Sequence, residues 1–102
     1  MIKIDSEQLE QLKKEGKNIL LDLYGVWCGP CRQLMPKLEQ LEINYTNVIF
    51  AKMDIEENMI YVTNMGVKSV PTVIIYSGED EIKKITGLQS ESVYKEILEK
   101  IK

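Results

Sequence analysis

The sequence predicts an α/β fold: a central mixed β-sheet with helices on both faces. Three observations carry this. Apolar residues alternate along the chain between strand-like runs and helix-like i, i+3, i+4 spacing. Two of the runs, Ile19 to Tyr24 and Val48 to Met53, are almost continuously apolar, as strands buried on both faces are. Near the end, two strand-like segments are separated only by the turn Ser77-Gly78-Glu79-Asp80, which implies an antiparallel pair.

Taken in order, Ile2 to Ile4 form a short first strand. Residues 6–15 form a helix, with Asp5 or Ser6 as N-cap, Leu9 and Leu12 turned inward, and Gly16 closing it. The strand Ile19 to Tyr24 follows, its apolar run broken only by Asp22. A helix starts near Cys28 or Cys31, where Leu34, Met35, Leu38 and Leu41 recur at helical spacing. Pro36 lies inside that pattern and is expected to kink it. Val48 to Met53 is the second buried strand, and residues 57–65 form a short helix ended by Gly66. Thr72 to Tyr76 is a third apolar strand. Ile82 to Thr86 is more amphipathic and belongs nearer an edge. Tyr94, Ile97, Leu98 and Ile101 give the last helix an apolar stripe. The methionines are expected to fill gaps in the core. The order is β-α-β-α-β-α-β-β-α, whose alternating part implies parallel strands joined by helical crossovers.

A length of 102 residues suits one domain spanning 1–102. A hydrophobic share of 44% with 28% charged residues excludes a disordered or fibrous chain. The net charge of -3 offers no support for nucleic-acid binding, which calls for a basic surface. No apolar run approaches the roughly 18 residues of a membrane span, so no membrane partner is expected. The opening MIKIDSEQ lacks the cationic, apolar and small-residue segments of an export signal, which leads to the expectation of a cytoplasmic protein.

The chain has two cysteines and no histidine, so proton chemistry must fall to Cys, Asp, Glu, Lys or water. The two cysteines stand three apart, and a bridge closing so small a loop constrains the unfolded chain little. Stability alone is therefore a weak reason for the pair. Trp27-Cys28-Gly29-Pro30-Cys31 lies where a strand hands over to a helix. A helix N-terminus offers free N–H groups and partial positive charge, which favour a thiolate, and the thiolate is the nucleophile of disulfide exchange. Cys28 leads the pair and feels that field most; Cys31 lies one turn further in, on the same face and in drier surroundings. An ordered mechanism follows. Cys28 attacks a substrate disulfide, and Cys31 then attacks Cys28 and releases the reduced substrate. Gly29 permits a tight backbone, and Pro30 presets the helix start. The alternatives are half of a zinc site, which needs four ligands and hence two chains, and inert core thiols. No metal is expected.

C-x-x-C beside a βαβ pattern is a recognised redox signal, and here the resemblance extends further. Leu21-Asp22-Leu23-Tyr24 before WCGPC, Pro36 in the next helix, Lys52-Met53-Asp54, Val70-Pro71-Thr72 and Gly87 after the last strand stand in the order and spacing of one family. By these marks the sequence resembles the thioredoxin family over almost its whole length. The resemblance implies the thioredoxin fold and a protein-disulfide reductase that binds no cofactor itself. NADPH enters only indirectly, through a thioredoxin reductase. Disulfide-containing proteins are the implied substrates, cell redox homeostasis the implied role, and a monomer the implied state.

Supporting residues follow from both lines. Asp22 is a lone carboxylate in an apolar strand, and burial should raise its pKa. It is read as the group that helps deprotonate Cys31, the role proposed for the matching aspartate in the family; the alternatives are an exposed acid at a pleat and a purely structural buried acid. In the family the lysine matching Lys52 approaches that aspartate, whereas the residue alone reads equally as a lysine snorkelling at a strand end. Trp27 beside the reactive cysteine is expected to be partly exposed and to dock extended polypeptide. Pro71 read alone is a trans proline at a strand start. The resemblance instead implies a cis proline facing the cysteines, with the Val70 backbone free to pair with substrate and Gly87 bordering the docking surface. Tyr24, Gly25, Val26 and Arg32 depart from the family pattern, and Tyr24 replaces a tryptophan that usually packs under the site.

Two other functions are consistent with such a chain. One is a disulfide oxidant or isomerase, disfavoured because oxidising relatives typically carry a histidine where Gly29-Pro30 stands. The other is a redox-silent binding module, disfavoured by the intact WCGPC together with Asp22 and Pro71.

Overall fold

The computed structural model describes residues 1–101. Strand β1 (Ile2–Lys3) leads into helix α1 (Ser6–Lys14). Asp5 caps that helix: its carboxylate accepts from the Gln8 N–H at 2.9 Å, and the Gln8 side chain returns to the Asp5 N–H at 2.8 Å. This reciprocal pair satisfies two of the amides that a helix start leaves free. Gly16, at φ 75°, turns the chain out of the helix in a conformation that other residues take only with strain.

The remaining elements are β2 (Asn18–Tyr24), α2 (Gly29–Asn44), β3 (Ile49–Asp54), α3 (Met59–Asn64), β4 (Thr72–Ser77), β5 (Asp80–Thr86) and α4 (Glu91–Leu98). The order is the one expected from the sequence. Among the described residues, five strands form one sheet in the order β1-β3-β2-β4-β5. The strand β3 runs parallel to both β1 and β2, while β4 is antiparallel to β2 and to β5. The α3 crossover therefore reverses the chain rather than adding a parallel strand. As expected, β5 lies at an edge, and Ile85 is its one buried residue.

The strand β2 is central. Its side chains alternate between two cores, as a pleated strand requires. Leu20 joins Leu34 and Leu38 of α2, Phe50 of β3, Val73 and Ile75 of β4, and Tyr94 and Leu98 of α4. Ile19, Leu21 and Leu23 join Leu9, Met53, Val62 and Ile74 under α1 and α3. Each such Leu or Ile contributes about 1.5–3 kcal/mol through burial. Asp22 falls in the alternation on the Leu20 side, the face covered by α2 and α4.

Some sequence expectations shift. Helix α3 is shorter than residues 57–65, and β5 begins two residues before Ile82. Ile101 lies beyond the end of α4 yet still packs against the first core. The methionines do not all fill the core: Met53 is fully buried, but Met59 is 62% exposed on the first turn of α3. Pro36 lies inside α2 without ending it, because its ring sits on the exposed side of a long, well-anchored helix. Among the described residues no helix is long and apolar enough to cross a membrane.

Candidate active site

The site forms at the C-terminal end of β2, where Gly25 to Trp27 carry the chain into α2. Cys28 is the N-cap of α2, with extended backbone angles (φ -91°, ψ 112°), and Pro30 stands in the first turn. A proline is tolerated there because its missing N–H has no intrahelical partner to lose. Cys28 and Cys31 are joined as a disulfide, their Cα atoms 5.3 Å apart, within the range a bridge needs without backbone distortion. The Cys31 N–H donates to the Cys28 sulfur at 3.2 Å. The first turn of the helix thus directs one of its free amides at the leading sulfur, an arrangement that favours negative charge there. Both cysteines are buried, Cys31 more completely at 1% exposure against 4% for Cys28.

A second loop faces the pair. The Val70–Pro71 peptide bond is cis, as the family resemblance implied and the residue alone did not. The Val70 carbonyl oxygen lies 3.8 Å from the Cys28 sulfur. In the disulfide form that sulfur has no proton, so this is a contact; a Cys28 thiol would have an acceptor there. The loop is tied down on both sides. Thr72 Oγ1 donates to the Ser69 carbonyl at 2.7 Å, and the Gly87 N–H donates to the Pro71 carbonyl at 2.8 Å. Thr72 pairs with Leu23 across β2 and β4 and with Thr86 across β4 and β5. Val70, Pro71 and Gly87 are thus brought together with the cysteines. Trp27, Val62, Val67 and Val70 are among the residues that line a cleft of about 230 Å3. Trp27 itself is 62% exposed.

Asp22 is fully buried, and neither of its carboxylate oxygens has a hydrogen-bond partner. Burial pushes its carboxyl up to about 7, against a smaller downward pull from Lys52. Lys52 stands opposite Asp22 in the β2–β3 register. Its ammonium makes no ion pair with the aspartate; it lies 3.8 Å from Met35 Sδ and 6.0 Å from the centre of the Tyr24 ring. Tyr24, Cys31, Arg32, Met35 and Lys52 line a groove of about 480 Å3.

Three contributors have no signal in one-dimensional spacing. Glu56 accepts a hydrogen bond from the Trp27 indole N–H, fixing the ring across 29 residues of sequence. Gly25 makes room for that ring: a Cβ there would stand 2.8 Å from Trp27 Cε2. Arg32 Nη1 donates to the Val26 carbonyl at 3.0 Å and braces the turn before the cysteines. Two of the departures from the family pattern, Gly25 and Arg32, therefore shape the rim of the site.

Comparison with known proteins agrees with this geometry. A sequence model of the thioredoxin family matches residues 2–100. The chain is 36% identical over 83 residues to the thioredoxin of Streptomyces clavuligerus, covering 81% of this chain and 77% of that protein. It is 33% identical over 101 residues to the thioredoxin of Chlamydia pneumoniae, covering 98% of each. The X-ray structure of Fasciola hepatica thioredoxin superposes with a TM-score of 0.87 at 29% identity, over 97% of this chain and 98% of that one. With a cysteine pair bridged across the first turn of a helix at the end of a central strand, the chain belongs to the thioredoxin family of thiol–disulfide oxidoreductases.

Proposed function

We propose that the protein acts as a single-domain cytoplasmic reductant of protein disulfides, with Cys28 as attacking nucleophile and Cys31 as resolving thiol. The observation that carries this reading is the Cys31 N–H aimed at the Cys28 sulfur, which makes Cys28 the sulfur best able to hold negative charge. In the first step the Cys28 thiolate attacks a substrate disulfide, forming a mixed disulfide and releasing one substrate thiolate. In the second, Asp22 takes the Cys31 proton, Cys31 attacks Cys28, and the second substrate thiolate leaves. The buried carboxylate, titrating near 7, is suited to that transfer. Lys52 acts at a distance by favouring the ionised form of Asp22.

Substrate lies as an extended segment in the cleft between Trp27 and Val70, with Gly87 and Pro71 at its border and the Val70 backbone available for strand-like pairing. The oxidised protein is returned to the dithiol by a thioredoxin reductase drawing on NADPH, and it works as a monomer. A Cys31→Ser variant tests the order of attack: incubated with a disulfide-bonded protein it accumulates a mixed disulfide, visible by mass and lost on adding dithiothreitol. Accumulation in Cys28→Ser instead reverses the assignment. A midpoint potential more oxidising than that of glutathione favours the oxidant reading over the reductant one.

A further inference from the structure

Among the described residues, three buried side-chain polar atoms lack a hydrogen-bond partner: the two oxygens of Asp22 and the hydroxyl of Tyr94. They are complementary, two acceptors and one donor. They also share a face of the sheet. Asp22 lies beside Leu20 in the β2 alternation, and Tyr94 of α4 packs in the core that contains Leu20 and Val73, Val73 being the direct partner of Asp22 on β4. Both residues are fully shielded from solvent. An isolated buried hydroxyl or carboxylate is costly, and one water bridging the two relieves both.

We propose that the Tyr94 hydroxyl donates a hydrogen bond to the Asp22 carboxylate through one bridging water and stabilises its charged form. The electrostatics agree. Burial and then the Asp22 charge push the Tyr94 phenol up to about 12, so it keeps its proton throughout the working range and remains a donor. The Gln89 backbone N–H faces the hydroxyl without reaching hydrogen-bonding geometry. It presents a donor to the phenol oxygen and so leaves the O–H free to point elsewhere. The titratable groups coupled to Asp22 are then Lys52 from β3, Tyr94 from α4 and Tyr24 from β2 itself. Of these, Lys52 acts from beyond ion-pair distance, and Tyr94 supplies the directional contact. Tyr94 is a positioning residue: it never carries the transferred proton, which passes from Cys31 to Asp22 and onward to the departing thiolate or to water. The mechanistic consequence rests on Asp22 being the base of the resolving step.

The test is the Asp22 carboxyl titration in the reduced protein, followed by carbon-13 NMR in the parent and in Tyr94→Phe. Loss of a hydrogen bond to the ionised form raises the midpoint by about one pH unit. Mixed-disulfide resolution at pH 7 then slows about fivefold, because a smaller share of Asp22 is ionised. A midpoint unchanged in Tyr94→Phe overturns the proposal. A raised midpoint with an unchanged resolution rate upholds the hydrogen bond and removes Asp22 from the role of base. A second measurement needs no Tyr94 variant: the Tyr94 Cζ resonance of the parent must follow the Asp22 titration and lose that inflection in Asp22→Asn. A Cζ shift that ignores Asp22 also overturns the proposal.

Discussion

Asp22 and Lys52 stand directly opposite each other in the β2–β3 register, yet their charges do not meet in an ion pair. The ammonium swings toward Met35 and the Tyr24 ring at the groove, and the carboxylate stays buried. An acid left in that position has a clear effect on stability. Its carboxyl titrates near 7 when folded against an ordinary 3.8, so between those values the folded state holds a proton that the unfolded chain has released. Stability therefore falls as pH rises from about 4 to about 7, and the deficit reaches about 4 kcal/mol above that window. Asp22→Asn is expected to stabilise the oxidised protein by about 2–4 kcal/mol at pH 8 and by little at pH 4, measured by urea unfolding. A gain equal at both pH values contradicts the assignment.

Lys52→Gln removes the one charge that pulls the Asp22 carboxyl downward. The midpoint of Asp22 is expected to rise, seen as a more alkaline inflection in the pH profile of mixed-disulfide resolution. A downward move rules out an electrostatic role for Lys52.

Limiting iodoacetamide added to the reduced protein at pH 7 is expected to label Cys28 ahead of Cys31. The helix amide points at the former, and the latter is the more deeply covered. Peptide mapping by mass spectrometry reads the ratio; equal labelling removes the asymmetry on which the order of attack depends.

Gly25→Ala places a methyl group 2.8 Å from the indole of Trp27. The ring is exposed and can swing away, so the expected loss of stability is under about 1 kcal/mol. The swing breaks the bond to Glu56. Trp27 is the single tryptophan, so a shifted emission maximum with a nearly unchanged melting temperature is the expected signature. Glu56→Gln, which keeps an acceptor, leaves the emission close to the parent.

Trp27→Ala removes one wall of the cleft and is expected to lower kcat/KM for a protein disulfide about tenfold, in the range of a docking hot spot. Exchange with a small disulfide such as oxidised glutathione, which does not fill the cleft, changes far less. Equal losses on both substrates assign Trp27 to the chemistry of the sulfurs rather than to docking.

The sequence exposes most of the architecture because its signals are local. The buried runs of β2 and β3, the Asp5 and Gly16 boundaries of α1, and the Ser77-Gly78 turn all express themselves within a few residues. Asp22 stands out for the same reason, as one charge in an apolar strand. Sheet order is a different matter. Nothing near β4 says that it will lie antiparallel against β2, since that depends on where α3 returns the chain. The hold of Glu56 on the indole, the space left by Gly25 and the lone hydroxyl of Tyr94 are likewise products of distant packing. Tyr94 reads in sequence as one more apolar step of α4, and only the fold shows its hydroxyl buried without a partner. The cis bond at Pro71 is invisible to composition and follows from resemblance alone.

The pairing of Leu23 with Thr72 ties the two halves of the site to neighbouring strands at the middle of the sheet. The cysteine turn leaves one strand and the Val70–Pro71 loop enters the other, so backbone ladders set the gap between sulfur and carbonyl. The frame works as a fixed gauge. On the docking proposed above, it admits any disulfide whose flanking chain can lie flat at that spacing. Choice among clients, on that same docking, belongs to the rim, where Val26, Trp27, Arg32 and Lys68 stand exposed. Partner range can be retuned at those positions by exchanging side chains, while the spacing that performs the reaction stays untouched.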